Sequence, residues 1–436
     1  MMDKILQAVF ARLVSRGALT ITTARGTALT FGDGTGEEVC VRLTDTRAEL
    51  AIVLDPHLYM GELFMEGRLI VERGTIYGFL ELVLREASSH SKLVPAHIIN
   101  RIRNLATRLF GGNNPLQSRR NVAHHYDLDG RLYRLFLGED LEYSCAYYER
   151  PDCTLAEAQV AKKRLVTAKL AIEPDSRVLD IGSGWGGLAL YMKEIAGARE
   201  VLGITLSTEQ LSAARERARK RGVEADVKFE LRDYRALEGT FDRIVSVGMF
   251  EHVGLRYYQT FFKKCHQLLA PDGVMLLHTI GFFDGPWDPN PWIDKYIFPG
   301  GHLPALSQIV TAIERSGLIV TDIECLRLHY AKTLVEWRRR FMTRRDEVLD
   351  LYDERFFRMW EFYLAGSEAS FRYRNLGVFQ VQCAHHVDAL PMTRDYIAAR
   401  ILGLRNTEVR RGVTEPLRGK AREAEVQPII PRRTHG

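Results

Sequence analysis

The chain alternates apolar runs with amphipathic segments over its central part, which is the pattern of β-strands and helices in turn. Strands buried on both faces appear as continuous apolar runs, and the helices between parallel strands cover both faces of the sheet. The sequence therefore predicts an α/β fold with a Rossmann-like sheet. Strands are predicted at 177–182, 200–205, 227–231, 241–247 and 273–279. Between them we predict a helix that ends near 196 and helices at 208–221 and 256–269. Two further segments are rich in β-forming residues, 319–326 and 378–384.

Composition breaks and turn residues divide the rest of the chain. Residues 1–112 alternate strand-like and helical patterns between glycine turns, which predicts a small N-terminal α+β domain. The breaker cluster 111–115 ends it. The main domain starts at Thr154, because Thr154-x-x-Glu157 is a capping box. The predicted units are 1–112, a linker and cofactor-covering segment 113–153, the Rossmann-like domain 154–404 with a proline- and aromatic-rich lid 284–304 and a helical insertion 334–374, and a basic, disordered tail 405–436.

Composition and cysteine content bear on the cellular compartment of the protein. The chain has 436 residues, of which 46% are hydrophobic, and most of its net charge of +5 lies in the tail. Its 6 cysteines form no C-x-x-C pair, which argues against a zinc cluster or a disulfide scaffold and favours a reducing cytoplasm. We find neither a secretion signal nor an apolar run near the roughly 18 residues that a membrane span needs. Any membrane contact is therefore expected to be peripheral.

A glycine turn carries the first chemical signal. The strand from Arg177 ends in Asp180-Ile181-Gly182-Ser183-Gly184 and opens a helix. Glycine accepts positive φ, so a ligand can lie directly on the backbone of Gly182 and Gly184. The same letters also fit the G-x-G-x-x-G fingerprint of dinucleotide sites, so the loop alone does not name its ligand.

The next strand separates the two ligands. A dinucleotide site has an acidic residue about 20 residues further on, at the end of the second strand, where this chain has Thr205. A carboxylate beside the loop, here Asp180, repels a pyrophosphate but attracts the ammonium and sulfonium groups of S-adenosylmethionine. The sequence therefore favours a methyl donor over NAD.

Polar residues also end two further strands. Glu251 and His252 follow the strand 241–247, and His278 with Thr279 ends the strand 273–279. Ligands of open α/β sheets bind beyond the carboxyl ends of the strands, which gives these residues a functional interpretation. The structural alternatives are a first-turn carboxylate for Glu251 and a buried, hydrogen-bonded imidazole for His278.

Four motifs occur together and in a fixed order: Tyr143-Ser144-Cys145, 249–254 (MFEHVG), 277–281 (LHTIG) and 293–299 (IDKYIFP). With them, residues 115–395 resemble the cyclopropane-fatty-acyl-phospholipid synthases. The resemblance implies transfer of a methylene group from S-adenosylmethionine to a cis double bond in an acyl chain of a membrane phospholipid. The alkene attacks the sulfonium methyl, and a base then removes a proton from the resulting carbocation.

The resemblance also implies which residues act. In the family the base is a bound bicarbonate. The resemblance implies that its oxygens accept hydrogen bonds from side chains and from the Ile280 backbone N–H, and that its hydroxyl donates to Glu251. A small buried residue is the alternative for Cys145, and a packing role is the alternative for Tyr330. The implied bicarbonate ligands are Cys145, Glu251, His278, Ile280 and Tyr330.

The cofactor residues follow in the same way. Tyr143 and Ser144 are expected over the methionine end and Tyr234 near the adenine, with residues 124–127 (His124, His125, Tyr126 and Asp127) covering the cofactor. Thr205 and Gln210 are expected at the ribose. Gln210 has a structural alternative, since Ser207-x-x-Gln210 is a capping-box pattern, and the alternative for Asp233 is a carboxylate that faces solvent. The predicted cofactor residues are Tyr143, Ser144, Asp180, Gly182, Gly184, Thr205, Gln210, Asp233 and Tyr234.

The sequence leaves alternatives for the reaction product and for the binding partners. A methyl-branched or methylene fatty acid, or a modified fatty acid as acceptor, is the alternative within the family, and a catalytically idle lipid-binding protein is a rival outside it. We expect an unsaturated phospholipid at the inner face of the cell membrane as partner, and no nucleic acid. The candidate docking segments are the N-terminal domain 1–112 with its amphipathic start, the arginine-rich stretch 338–345 and the tail, and a homodimer is a further hypothesis.

Overall fold

The computed structural model of the protein describes residues 2–86 and 128–414. The predicted linker at 111–115 and the covering residues His124, His125, Tyr126 and Asp127 lie outside these residues. The N-terminal part pairs helices with a sheet in the order β2-β1-β3-β4. Its elements are α1 (Met2–Leu13), β1 (Ala18–Thr22), β2 (Ala28–Phe31), β3 (Glu38–Leu43), α2 (Thr46–Leu54), α3 (Pro56–Met65), β4 (Leu69–Arg73) and α4 (Ile76–Arg85).

The second sheet has seven strands in the order β10-β11-β9-β8-β5-β6-β7. Apolar cores lie on its two faces, so the strands are buried from both sides. Its elements are α5 (Gly130–Leu137), α6 (Leu155–Lys169), β5 (Arg177–Ile181), α7 (Gly187–Glu194), β6 (Glu200–Thr205), α8 (Thr208–Lys220), β7 (Val227–Leu231), β8 (Phe241–Val247), α9 (Tyr258–Leu268), β9 (Leu269–Phe282), α10 (Pro291–Tyr296), α11 (Leu306–Glu314), β10 (Ile319–Cys325), α12 (His329–Thr343), α13 (Arg345–Leu349), α14 (Glu354–Tyr373), β11 (Leu376–Ala384) and α15 (Asp395–Arg410).

The predicted fold class is confirmed, with one correction to the sheet. Strands β5 to β8 fall where the apolar runs predict them and are parallel to one another. The sheet is mixed, however, because β11 is antiparallel to both β9 and β10. The helix α14 delivers the chain beside Phe282, at the carboxyl end of β9, so β11 starts at that edge of the sheet and runs in the opposite direction.

Helix α6 is buried along nearly its whole length although it contains four basic residues. The predicted capping box at its start forms in both directions between Thr154 and Glu157. A buried charge is costly unless it is paired, and each basic residue of α6 meets a carboxylate from another segment. The pairs are Lys162 with Glu142, Lys163 with Asp140, Arg164 with Glu149 and Glu408, and Lys169 with Glu324.

Two segments make contacts that the sequence analysis does not predict. Part of the predicted lid 284–304 packs on the N-terminal part of the chain, where buried Trp292 lies against Gly61 and Tyr296 donates to Glu62 at 2.8 Å. The predicted disordered tail begins inside α15, which stays helical to Arg410 because fully buried Glu408 pairs with α6.

Candidate active site

A cleft of about 1170 Å³, open to solvent, lies at the carboxyl ends of β5, β6 and β8. Ligand clefts of open α/β sheets lie at this edge. The structure brings all the predicted cofactor residues to it, from four separate stretches of the chain. These residues are Tyr143, Ser144, Asp180, Gly182, Gly184, Thr205, Gln210, Asp233 and Tyr234.

The glycine turn has the backbone that the sequence predicts. Gly182 and Gly184 have φ of +86° and +53°, a region that side chains disfavour. The N–H groups of Gly182 and Ser183 both donate to the Ile204 carbonyl at 2.9 Å, which ties the turn to β6. No atom of the described residues lies within 4 Å of the position that a Cβ on Gly184 would take, so a ligand has room against its backbone.

Asp180 supplies an unsatisfied carboxylate at the floor of the cleft. It is buried, and its Oδ2 has no hydrogen-bond partner among the residues that the structure describes. Burial, with a smaller contribution from the nearby Glu142 carboxylate, raises the pKa of Asp180 to about 7. A cation bound here would restore the ionised form, so the site fits the ammonium of a methionine moiety.

A charged pair in the cleft wall, Lys162 and Glu142, was missed in the sequence analysis. Lys162 of α6 lies in the cleft wall, forms an ion pair with Glu142 and donates to Ser144 Oγ at 3.1 Å. The pair holds the stretch that carries Tyr143 over the cleft. No sequence signal could have found Lys162, because it stands in a helix whose basic residues look solvent-exposed when the sequence is considered alone.

Thr205 and Gln210 form a bonded pair in the cleft. Thr205 Oγ1 donates to Gln210 Oε1 at 2.9 Å, and Ser207 Oγ accepts from the Gln210 backbone N–H at 3.3 Å. The Gln210 side chain therefore bonds to Thr205. Among the described contacts it does not bond back to the Ser207 N–H, so only one of the two hydrogen bonds of a capping box is formed. Both residues line the cleft.

Tyr234 and Asp233 line the other end of the cleft. Tyr234 is buried, with its ring edge-on to Phe261 at 5.3 Å between centroids. Asp233 is paired with Arg235 at 2.7 Å, so it is a fixed cleft residue and not the solvent-facing carboxylate that the sequence left as an alternative.

Glu251 lies behind this cleft, in the turn that follows β8. It is 7% exposed, its Oε1 accepts from the Ile280 N–H at 2.7 Å, and its Oε2 has no partner among the described residues. Burial raises the pKa of Glu251 to about 7, although the Ile280 N–H opposes the shift. The adjacent His252 lines the cofactor cleft, and burial lowers its pKa to about 4. The N–H predicted to bind bicarbonate therefore donates to Glu251 here.

His278 lies on β9, two residues before Ile280 and on the same face of the strand. It is 2% exposed, and its Nδ1 lies 3.2 Å from Gln380 Nε2. Burial, together with the ammonium groups of Lys162 and Lys169, lowers the pKa of His278 to about 3. The imidazole is therefore neutral at pH 7 and carries one N–H.

Cys145 is a buried, unreactive thiol. It is 1% exposed, and its Sγ lies 3.3 Å from the Ala146 carbonyl, in contact with neither Glu251 nor His278 among the described contacts. Burial raises the pKa of the thiol. A thiol without thiolate character is a poor nucleophile, which argues against covalent catalysis by Cys145.

Tyr330 stands at the start of α12 in an aromatic wall. Its ring lies 4.7 Å from Phe371 and 5.7 Å from Trp337 between centroids, and Trp337 in turn lies 5.3 Å from Tyr143. The Tyr143 hydroxyl bonds to the Tyr363 hydroxyl at 2.8 Å. This wall joins Tyr330 to the cofactor residues, and its π faces can shelter a cation.

A Rossmann-like sheet, a glycine turn without the acidic residue of dinucleotide sites, and a buried carboxylate at its base define a class of enzyme, the S-adenosylmethionine-dependent methyltransferases. Within that class, residues 114–381 match the family model described as mycolic acid cyclopropane synthetase, and the chain belongs to this family.

Similar proteins agree with this assignment. The cyclopropane-fatty-acyl-phospholipid synthase of Escherichia coli K12 is 39% identical over 341 residues, 77% of this chain and 85% of that protein. The tuberculostearic acid methyltransferase UfaA1 of Mycobacterium tuberculosis is 40% identical over 277 residues, 61% of this chain and 64% of that protein. The mycolic acid cyclopropane synthase CmaA1, in its structure complexed with SAH and CTAB, is 35% identical in sequence to this chain. The match has a TM-score of 0.58 and covers 61% of this chain and 97% of that chain.

Proposed function

We propose that this enzyme transfers a methylene group from S-adenosylmethionine to a cis double bond in an acyl chain of an unsaturated phospholipid, which forms a cyclopropane ring. The family and the 39% identity to a cyclopropane-fatty-acyl-phospholipid synthase support the proposal. The observation that carries it is the buried, half-satisfied carboxyl of Glu251, next to a cofactor cleft with its own unsatisfied carboxyl at Asp180.

The residues of the cleft fit the methyl donor. S-adenosylmethionine supplies, when bound, a methyl group on a cationic sulfur. Asp180 and Tyr143 would hold its methionine end, Thr205 and Gln210 its ribose, and Tyr234 its adenine. Asp180 would then stay ionised, and the aromatic wall around Tyr143 would exclude water.

In our proposal the proton that the carbocation loses passes to an anion held by Glu251 and His278, from which it can move on to the unpartnered carboxyl oxygen of Glu251. Glu251 has a free carboxyl oxygen that can accept a proton, and neutral His278 can donate its N–H to an anion. We propose bicarbonate as that anion, held by these two side chains with Tyr330 and Cys145 nearby. Because the Ile280 N–H is engaged by Glu251 here, we assign Ile280 to orienting the carboxylate as well.

A methyl-branched product is the second candidate, and one observation favours it. The tuberculostearic acid methyltransferase is as similar in sequence, at 40% identity, as the cyclopropane-forming relative. Both chemistries begin at the same double bond and give the same carbocation. Loss of a proton from the new methyl group closes the ring, whereas loss of a proton from a neighbouring chain carbon leaves a methyl branch beside a double bond, so that neither product needs a reductant. The cleft residues described above serve either reaction equally.

We also propose that the enzyme works at the inner face of the cell membrane through peripheral contact. In residues 2–86 and 128–414, no helix is long and apolar enough to cross a bilayer. Much of the arginine-rich stretch 338–345 is paired within the chain, for example Arg338 with Glu368 and Arg345 with Glu354, and so offers less free charge than its composition predicts.

The test is to incubate the purified protein with methyl-labelled S-adenosylmethionine and vesicles of a mono-unsaturated phospholipid. We expect labelled acyl chains whose cyclopropane protons appear by NMR after lipid extraction. Vesicles of a saturated phospholipid are the control and should stay unlabelled. A labelled methyl branch would select the second candidate, and an absence of label would reject both.

Bicarbonate needs its own test. We expect turnover to fall in buffer freed of carbon dioxide and to recover when bicarbonate is added, while binding of the cofactor stays the same. Full turnover without bicarbonate would remove it from the proposal and leave Glu251 as the base.

A further inference from the structure

Gln380 is a buried amide in an otherwise apolar part of β11. It is fully buried and lies directly opposite His278 in the antiparallel pair of β11 and β9. Its Nε2 lies 3.2 Å from His278 Nδ1, and its Oε1 has no partner among the described residues. A buried polar atom without a partner costs about 1–3 kcal/mol, so stability alone does not explain this residue.

Gln382, two residues along and on the same face, shows the contrast. Its amide donates to the Tyr396 hydroxyl at 2.7 Å and accepts from Thr321 Oγ1 at 2.8 Å. It therefore has partners for both ends of its side chain and serves the packing of β11. Gln380 instead has one bond, and that bond goes to a ring predicted to take part in the reaction.

We propose that Gln380 is a positioning residue that keeps the His278 proton on Nε2 by donating its own amide N–H to Nδ1. A neutral imidazole has one N–H, and the bond made by one nitrogen decides the role of the other. With Nδ1 as acceptor, Nε2 is a donor and can bind an anion. With the proton on Nδ1, Nε2 would present a lone pair and would repel that anion.

The surroundings keep the ring neutral, so that the choice of nitrogen matters. The ring is buried between strands, and the ammonium groups of Lys162 and Lys169 on α6 disfavour a second proton. The role of Nε2 as an anion donor rests on the proposed function, whereas the position of the proton does not.

The test is ¹⁵N NMR of the full chain labelled at histidine, with the His278 signals identified by comparison with His278→Asn. In the parent protein we expect a protonated Nε2 and an unprotonated Nδ1. A proton on Nδ1 would overturn the proposal. This measurement needs neither lipid nor turnover, so an inactive enzyme with the expected spectrum would count against the proposed function alone.

Variants extend the test to the reaction. In Gln380→Glu at pH 8, the carboxylate can only accept, so we expect a protonated Nδ1 and a kcat at least about 100-fold lower, with an unchanged KM for the cofactor. Gln380→Met lacks a donor and should lose less activity than Gln380→Glu. If Gln380 had only a structural role, Gln380→Glu should behave like the parent, because an amide and a carboxylate are alike in shape. Gln382→Met is the matched control and should leave the His278 signals unchanged. Equal spectra for the parent and Gln380→Glu would refute the proposal.

Discussion

Glu251→Gln should make the protein more stable at alkaline pH while it removes activity. An ordinary glutamate has a pKa of 4.5, and burial raises that of Glu251 to about 7. Between these values the folded protein holds a proton that the unfolded chain has released. The stability that this proton contributes is complete below pH 4.5 and is lost as the pH rises through 7.

The magnitude follows from the two pKa values. At about 1.4 kcal/mol for each tenfold change in proton affinity, the difference corresponds to about 3 kcal/mol. Glutamine cannot ionise, and its Oε1 can still accept from the Ile280 N–H. Its amide nitrogen takes the place of the unpartnered Oε2 at a cost that does not depend on pH. The stability of the variant relative to the parent should therefore rise by about 3 kcal/mol between pH 4.5 and pH 8.

The assay is urea unfolding of parent and variant at pH 4.5 and pH 8, with turnover measured on the same samples. Asp180 titrates in both proteins, so its contribution cancels in the comparison. The exposed Glu238→Gln is the control and should show no such change. We expect turnover of Glu251→Gln to fall by about 10²–10⁴-fold, with cofactor affinity retained. A relative stability that is independent of pH would refute the assignment of a raised pKa to Glu251.

Three further substitutions test other parts of the structure. Glu408→Ala removes one of the two carboxylates that pair with buried Arg164, while Glu149 remains, and takes the acceptor from the Tyr191 hydroxyl; it should cost about 1–3 kcal/mol, seen as a lower urea midpoint, and an unchanged midpoint would mean that α15 does not hold α6. Gly61→Ala places a Cβ 2.3 Å from the Trp292 indole nitrogen and should cost about 1–3 kcal/mol, with faster proteolysis within 284–304; unchanged cleavage would contradict the contact. Gly182→Ala forces an alanine to φ of +86° and should weaken cofactor binding about tenfold or more by calorimetry; equal affinity would show that the turn does not depend on glycine.

The sequence by itself determined the Rossmann-like fold and the glycine turn. Short apolar segments that alternate with amphipathic helices are typical of strands buried on both faces, and these segments lie where β5 to β8 form. The positive φ at Gly182 and Gly184 follows from residue type, and Thr205 in place of an acidic residue already favoured the methyl donor. These properties are local, so that no knowledge of distant contacts was needed.

Only the tertiary structure decided how distant charges and polar groups pair. The basic residues of α6 looked solvent-exposed in the sequence, yet the helix is buried because carboxylates from far along the chain neutralise it, Glu408 among them. The direction of β11 depended on where α14 delivers the chain. The Ile280 N–H was assigned to an anion from its motif, but it donates to Glu251 because β9 and the turn after β8 meet there. Pairing of buried polar groups is a property of three-dimensional packing, which periodicity and spacing along the chain do not encode.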